Sequence, residues 1–498
     1  MDKDNSSSNN KRQRTSFYAN KTILAPMVRV GALPMRLLAL RFGADLVYTE
    51  EIIDFKLLGA RRFVNEELGT VDYIDASGAV FFRTCEEEKD RVVLQIGTNS
   101  PERAVRAAKI VEEDVAAIDI NMGCPKSFSL KGGMGAALLS KPELIQQILC
   151  SLKAALRKPV SCKIRILPDL NATVELAKLI EQTGVDALGV HGRTKEERPQ
   201  HPNRTDYIRA VVDAVDSIPV IANGGSSEID CFDDIAKFKA ATGASSVMIA
   251  RAAQNNCSIF AKGSNGGGKK EDLDSVIKQY LRLAIDFDNN AINTKYCLTR
   301  MLGSLQVSEL GRAVLDSFTL ESFAAAFNLQ DYYTEAMAKR KAKKASAVNE
   351  PELSNNNTKE NNTTTTSASS TAENIITLPV SFDQNLFVST SSPLPKTILN
   401  EHFNKSGKKT SSPLTFRTVQ VAKQFHSVVS QGGKHYSTPY LEKTKRLAEQ
   451  AAALVLLLSL GLFSDTKIIN RCLVTTQNVV HALQHVENGQ TYYIKVNK

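Results

Sequence analysis

Thr22-Ile23-Leu24-Ala25-Pro26-Met27-Val28 opens the regular part of the chain. Its first six residues are a short apolar run closed by a proline turn, the pattern of a buried strand. A doubly wound nucleotide-binding sheet would follow such a strand with G-x-G-x-x-G. Here Ala25-Pro26-Met27-Val28 stands in that place. Seven runs of the same character follow, at Asp45–Glu50, Val92–Gly97, Ala116–Asn121, Pro159–Arg165, Ala187–His191, Pro219–Asn223 and Ser246–Arg251. Most precede an amphipathic stretch, such as Pro101–Glu113, Pro142–Leu156, Ala172–Thr183 or Ile229–Lys239. Pro101 and Pro142 sit where a first helical turn tolerates proline. Eight strand-helix units in about 240 residues predict an α/β chain built on a (β/α)8 TIM barrel, with a doubly wound sheet as the alternative.

Outside the barrel the composition changes. The chain has 498 residues, 42% of them hydrophobic, so more than one core is expected. Residues 1–20 are polar and read as a disordered tail, and the barrel takes 21–262. After the glycine-rich break at Gly263, residues 263–345 read as an all-helical domain. Residues 346–385 are a low-complexity linker, with four consecutive threonines at 363–366. Residues 386–465 read as α-β-β-β-α: helix Leu394–Phe403, strands Leu414–Gln420, Phe425–Ser430 and Tyr436–Pro439, helix Thr444–Leu458. The tail 466–498 carries no pattern.

The N-terminus lacks a secretory apolar segment. The longest apolar run, Ala451–Phe463, has 13 residues where a membrane span needs about 20. A soluble, cytoplasmic, monomeric protein is expected. Eight cysteines form no C-x-x-C pair, which argues against disulfides and a zinc site; no metal is expected. The net charge is +9, and His402–Arg446 holds nine Lys or Arg against one acid. Such a patch suits a polyanion, although a solvated surface has the same composition.

Active sites of such barrels lie at the C-terminal strand ends. Met27, Glu50, Glu51, Gln95, Asn121–Cys124, Lys163, Arg165, His191, Asn223-Gly224-Gly225 and Ala250-Arg251 all fall there. Gly224-Gly225 lets backbone approach a phosphate, and Arg251 can pair with it. Lys163 inside a barrel needs an anion. Gln95 can donate and accept at a ring edge. Cys124, between Gly123 and Pro125, is a thiol protonated at neutral pH and so a candidate general acid. Each residue alone has a bland reading, as a packed cysteine, a structural histidine or a tight turn. Their shared position at strand ends favours a site.

Taken together, Ala25-Pro-Met-Val-Arg-Val-Gly, Asn121-Met-Gly-Cys-Pro, Lys163-Ile-Arg, Val190-His-Gly-Arg-Thr and Ala222-Asn-Gly-Gly resemble the tRNA-dihydrouridine synthases. Lys131-Gly-Gly-Met-Gly-Ala-Ala, Arg198-Pro-Gln-His-Pro and Asn293-Thr-Lys-Tyr-Cys-Leu resemble the eukaryotic branch acting on D-loop uridine 20. The resemblance implies FMN as cofactor and NADPH as reductant. It implies a flavin site lined by Met27, Val28, Arg29, Glu51, Gln95, Lys163, His191, Asn223, Gly224, Gly225, Ala250 and Arg251. It also implies hydride transfer from flavin N5 to uracil C6, and a proton from Cys124 to C5. Arg165 and Arg193 are expected near the RNA.

The C-terminal pattern resembles a double-stranded RNA-binding domain, which implies tRNA contacts by Lys405, Lys408, Lys409, Lys443, Lys445 and Arg446. Two features depart from that pattern: Glu449 stands where such domains often carry lysine, and Val421-Ala-Lys-Gln lacks the usual Gly-Pro-x-His. The alternatives are a flavin enzyme reducing a free pyrimidine, and a non-catalytic RNA-binding protein on a retained barrel.

Overall fold

The computed structural model describes residues 16–75, 78–262 and 270–347. Beyond these it describes 375–378, 392–405, 414–421, 424–463, 483–487 and 490–494, with Val380, Phe382 and Phe387. They form two compact units, one within residues 1–351 and one within 352–498.

The first unit is the expected barrel. Its strands are β1 (Thr22–Leu24), β2 (Leu46–Tyr48), β3 (Val92–Gly97), β4 (Ala117–Met122), β5 (Val160–Arg165), β6 (Ala187–His191), β7 (Val220–Asn223) and β8 (Ser246–Ile249). Every neighbouring pair is parallel, and β1 pairs with both β2 and β8, so the sheet closes. Closure removes both edges and buries each strand on two faces, which is why β3 and β4 are buried at every position. Helices Pro101–Val111, Pro142–Ala155 and Leu170–Gln182 cover the outside. Ser100 and Asp169 cap the first and third by accepting the backbone N–H of Arg103 and Ala172.

Helices from Leu273 to Ala347 follow, and Val276, Tyr280 and Leu298 share one hydrophobic core with the barrel. The helical segment is therefore packed on the barrel rather than standing apart from it.

The stretch between β2 and β3, unread in the sequence, holds a helix (Asp54–Leu58) and an antiparallel sheet of Arg61–Asn65, Thr70–Ile74 and Val80–Cys85. Ion pairs tie it down. Arg83 forks onto Asp72 (both contacts 2.6 Å), and Arg62 onto Asp114 (2.6 and 2.8 Å). Beside it, fully buried Arg36 meets Glu88 at 2.8 and 2.5 Å and donates to the carbonyls of Gly31 and Arg83.

The second unit follows the expected order. Helix Pro395–Lys405 precedes β9 (Thr415–Val421), β10 (Gln424–Gln431) and β11 (Lys434–Ser437), and helix Lys445–Ser459 closes it. Two strand additions were not read from the sequence. Ile375–Thr377 pairs parallel to β11, and the pair Leu483–Glu487 and Gln490–Ile494 joins Tyr440–Leu441. Ala451–Leu457 is buried at every residue, so this apolar run is a core helix. No helix among the described residues is long and apolar enough to cross a membrane. Of the expected disordered tail 1–20, residues 1–15 lie outside the described residues, whereas Tyr18 is fully buried in the core with Ile23 and Val93 and so is not part of a disordered tail. Most of the linker, Lys408, Lys409, the side chain of Lys405 and most of the final tail also lie outside them.

Removing one partner of a buried pair strands the other charge. Glu88→Ala should therefore cost about 3–5 kcal/mol in urea unfolding with an unchanged m-value. A loss below about 1 kcal/mol contradicts this reading of Arg36.

Candidate active site

Strand register assembles the site. Gln95 lies opposite Asp119, Asn121 opposite Lys163, Arg165 opposite His191, and His191 opposite Asn223. Positions two apart share a face, so Asp119 with Asn121 and Lys163 with Arg165 point the same way. One band of polar side chains thus runs around the strand ends from β3 to β7.

Hydrogen bonds link its lower part. Ser161 Oγ donates to Asp119 Oδ1 at 2.7 Å, and Gln95 Nε2 donates to Asp119 Oδ2 at 2.8 Å. Asn121 Nδ2 donates to Gln95 Oε1 at 2.9 Å. Asn121 Oδ1 accepts the backbone N–H groups of Gly123 (3.0 Å) and Cys124 (2.9 Å). Asn121 therefore holds the turn that presents the cysteine. At Gly135, φ +58°, an added Cβ would come within 2.8 Å of the Cys124 carbonyl oxygen and 3.0 Å of Cys124 Cβ, so a side chain there would collide.

Burial pushes the Cys124 thiol up to about 11, and the Glu51 carboxylate adds to the shift. Glu51 is itself raised by burial. Its Oε1 accepts from Ser129 Oγ at 3.2 Å, and its Oε2 is buried without a partner. Cys124 is thus a protonated thiol at neutral pH, half-buried, with a carboxyl neighbour.

Above lies surplus positive charge. Lys163 is lowered to about 8 by burial and then by Arg165, with Asp119 supporting its charge. Arg165 donates to the carbonyls of Gly123 (2.8 Å) and Thr194 (2.9 Å). His191 is held well below its ordinary value by burial, then by Lys163, Arg165, Arg193 and Arg251, so it is neutral. Asp119, raised to about 6 by burial, is the one buried carboxylate in hydrogen-bond contact with the band among the described residues. Four cations around one neutral imidazole make a place for an anion. A flavin phosphate and a flavin ring edge fit that donor set.

Several expected residues are placed differently in detail. Arg193 is buried: it donates to His201 O (2.8 Å), Gly224 O (3.0 Å) and His191 Nε2 (3.2 Å). It is therefore not at the RNA surface. Because a guanidinium only donates, His191 Nε2 must accept, which leaves the proton on Nδ1. Asn223 spends its Nδ2 on Met248 O at 2.8 Å. Gly224, at φ +114°, lies where a Cβ would meet His191 at 2.8 Å, so internal packing also requires this glycine. Arg29 stacks over Tyr296 (5.5 Å) on the helical side, with its N–H held by Glu50. Val28 is exposed, Met27 half-buried, and Ala250 precedes the short helix at Arg251. Sequence reading missed Asp119, Ser161 and Ser129. Alternation along Asp119–Asn121 and Ser161–Lys163 could have exposed the first two.

In the second unit Lys443, Lys445 and Arg446 are exposed, and Thr444 caps the last helix by accepting Leu447 N–H at 3.2 Å. Glu449 pairs with Lys396 at 2.5 Å, so its charge is neutralised within the domain.

At residues 23–356 the chain matches the family described as dihydrouridine synthase (Dus), and at 395–460 the double-stranded RNA binding motif. It is 39% identical to a tRNA-dihydrouridine(20) synthase [NAD(P)+] of Schizosaccharomyces pombe, over 64% of this chain and 67% of the relative. It is 38% identical to the enzyme of the same name from Saccharomyces cerevisiae, over 57% of this chain and 78% of the relative. A tRNA-dihydrouridine(20a/20b) synthase of S. pombe is 32% identical over 57% and 79%.

In the flavin-free chain at pH 8, iodoacetamide should modify Cys124 more slowly than exposed Cys150, with the Cys124 rate still climbing toward about 11. Peptide mass spectrometry reads this directly. A plateau near the ordinary thiol value of about 8.5 contradicts the protonated thiol.

Proposed function

The chain belongs to the dihydrouridine synthase family, and on that premise we propose that it reduces uridine to 5,6-dihydrouridine in the D-loop of tRNA, at position 20, with FMN and NADPH. The observation that carries this reading is a thiol kept protonated at the β4 end, below a cluster of cations with spare charge. Position 20 is favoured because the two relatives of that name, at 39% and 38%, exceed the 20a/20b relative at 32%.

Lys163, Gln95 and His191 hold the flavin ring and ribityl chain, and Asn223, Gly224, Gly225, Ala250 and Arg251 the phosphate. Met27, Val28 and Arg29 form the rim after β1, and Glu51 closes the side next to Cys124. Bound FMN, once reduced by NADPH, supplies the hydride that reaches uracil C6. Cys124 gives its thiol proton to C5, so the C5=C6 double bond becomes two C–H bonds. The thiolate left on Cys124 takes its next proton from water. Burial, helped by the Glu51 carboxylate, keeps that proton in place until carbanion character develops at C5, as suits a general acid.

A uridine stacked within folded tRNA is out of reach of a barrel floor, so the base must be turned out of its stack. The cost is offset by RNA contacts elsewhere. Lys443, Lys445 and Arg446 supply them from the second unit by pairing with phosphates of a helical arm, a mode that reads A-form shape with little sequence preference. In sequence, Lys405, Lys408 and Lys409 add further positive charge to the same domain.

The direct test uses the purified full chain. It should be yellow, carry FMN, and convert unmodified tRNA to dihydrouridine at position 20 when given NADPH, read by nucleoside mass spectrometry. A flavin-free protein, or flavin turnover without dihydrouridine in tRNA, overturns the proposal. Replacing Lys443, Lys445 and Arg446 together by alanine should raise KM for tRNA about tenfold with kcat within about twofold, and flatten its salt dependence by about two to three phosphate contacts. An unchanged KM removes these residues from the RNA surface.

A further inference from the structure

We infer that Asp119 is a positioning residue for Cys124, acting through the side-chain amides of Gln95 and Asn121; this rests on the reaction proposed above. The argument begins from the asymmetry of the groups involved. A carboxylate only accepts, while an amide has a donating and an accepting end. Asp119 Oδ2 lies 2.8 Å from Gln95, so the end of Gln95 facing it must be Nε2. That turns Oε1 toward Asn121, 2.9 Å away, and requires Nδ2 of Asn121 there. Oδ1 of Asn121 is then turned to the β4 loop, where it accepts the N–H groups of Gly123 and Cys124 at 3.0 and 2.9 Å. Reversing Asn121 would set donor against donor at the loop, and reversing Gln95 would set its oxygen against the Asp119 carboxylate. One carboxylate, two side chains away, thus decides whether the cysteine turn is held or repelled.

The lower end is anchored as well. Ser161 Oγ donates to Asp119 Oδ1 at 2.7 Å and lies 3.4 Å from Tyr48 OH. Asp119, Gln95 and Asn121 are all buried, so an unmet partner in this chain would be costly. The relay also sets what a ligand meets. Each amide has two N–H groups and spends one within the relay, so Gln95 and Asn121 offer donors. A ring edge bound over them should present acceptors, such as carbonyl oxygens or an unprotonated nitrogen.

The experiment compares D119A, Q95E and the Q95E/D119N pair with the wild-type chain. Measurements are kcat and KM for tRNA, flavin content, and the iodoacetamide rate of Cys124 in flavin-free protein. D119A should lower kcat about 10- to 100-fold with KM within about twofold and flavin content retained, because misplacing a reacting group by about 1 Å has effects of that size. Loosening the loop should also raise the Cys124 alkylation rate at least about threefold. Q95E faces carboxylate with carboxylate and should lose at least about tenfold in kcat. Adding D119N to it restores a donor–acceptor pair and should recover at least about fivefold.

D119A with kcat and alkylation within about twofold of wild type overturns the proposal, as does Q95E without rescue by D119N. If D119A loses flavin and added FMN restores its rate, Asp119 serves cofactor retention and the proposal also falls. Should D119A not fold, Q95E and the pair decide the matter. Should the wild-type chain make no dihydrouridine, the proposed function fails, while the alkylation rates still test the relay.

Discussion

Charge inside a closed parallel barrel is the constraint on which the site depends. Eight strands exclude water from the interior, so Lys163 and Asp119 both titrate away from their ordinary values, toward about 8 and about 6. Neither is in direct ion-pair contact with the other. Asp119 is satisfied from Gln95 and Ser161, and Lys163 feels the opposing charges of Arg165 and Asp119 without a direct ion pair. Such an arrangement is costly for folding alone and sensible for holding an anion. The same exclusion of water raises the Cys124 thiol, making it an acid that keeps its proton at neutral pH.

Much of this was legible in the sequence because barrel strands are short and buried on both faces. All eight strands fell inside the apolar runs or within a residue of them, and Cys124, Lys163, His191 and Asn223 stood at their C-terminal ends. What escaped was set by long-range pairing. The antiparallel sheet at residues 61–85 packs through ion pairs such as Arg62–Asp114, whose partners are 52 residues apart and leave no local period. Asp119 hid inside an apolar run, where a buried carboxylate is legible only once Gln95 and Ser161 are known to face it. Arg193 was expected near the RNA from the family resemblance, and only the fold reveals the three acceptors around it.

On the proposed function, the second unit separates recognition from chemistry. Its core helix buries Ala451–Leu457 and leaves the first turn, with Lys445 and Arg446, in solvent. Glu449 on the next turn is paired with Lys396, which explains how an acid sits beside a basic surface without opposing it. Small alanines let the helix approach the sheet closely, and the charged turn stays in solvent.

Half-reactions of the Cys124→Ala enzyme test the central claim most directly. With NADPH, the variant should become reduced at the wild-type rate, since no proton from Cys124 is needed there. When tRNA is then added, reoxidation and dihydrouridine formation should fall at least about 100-fold, in line with the loss of a general acid. Reoxidation by tRNA at the wild-type rate would contradict the account and place the acid on another residue.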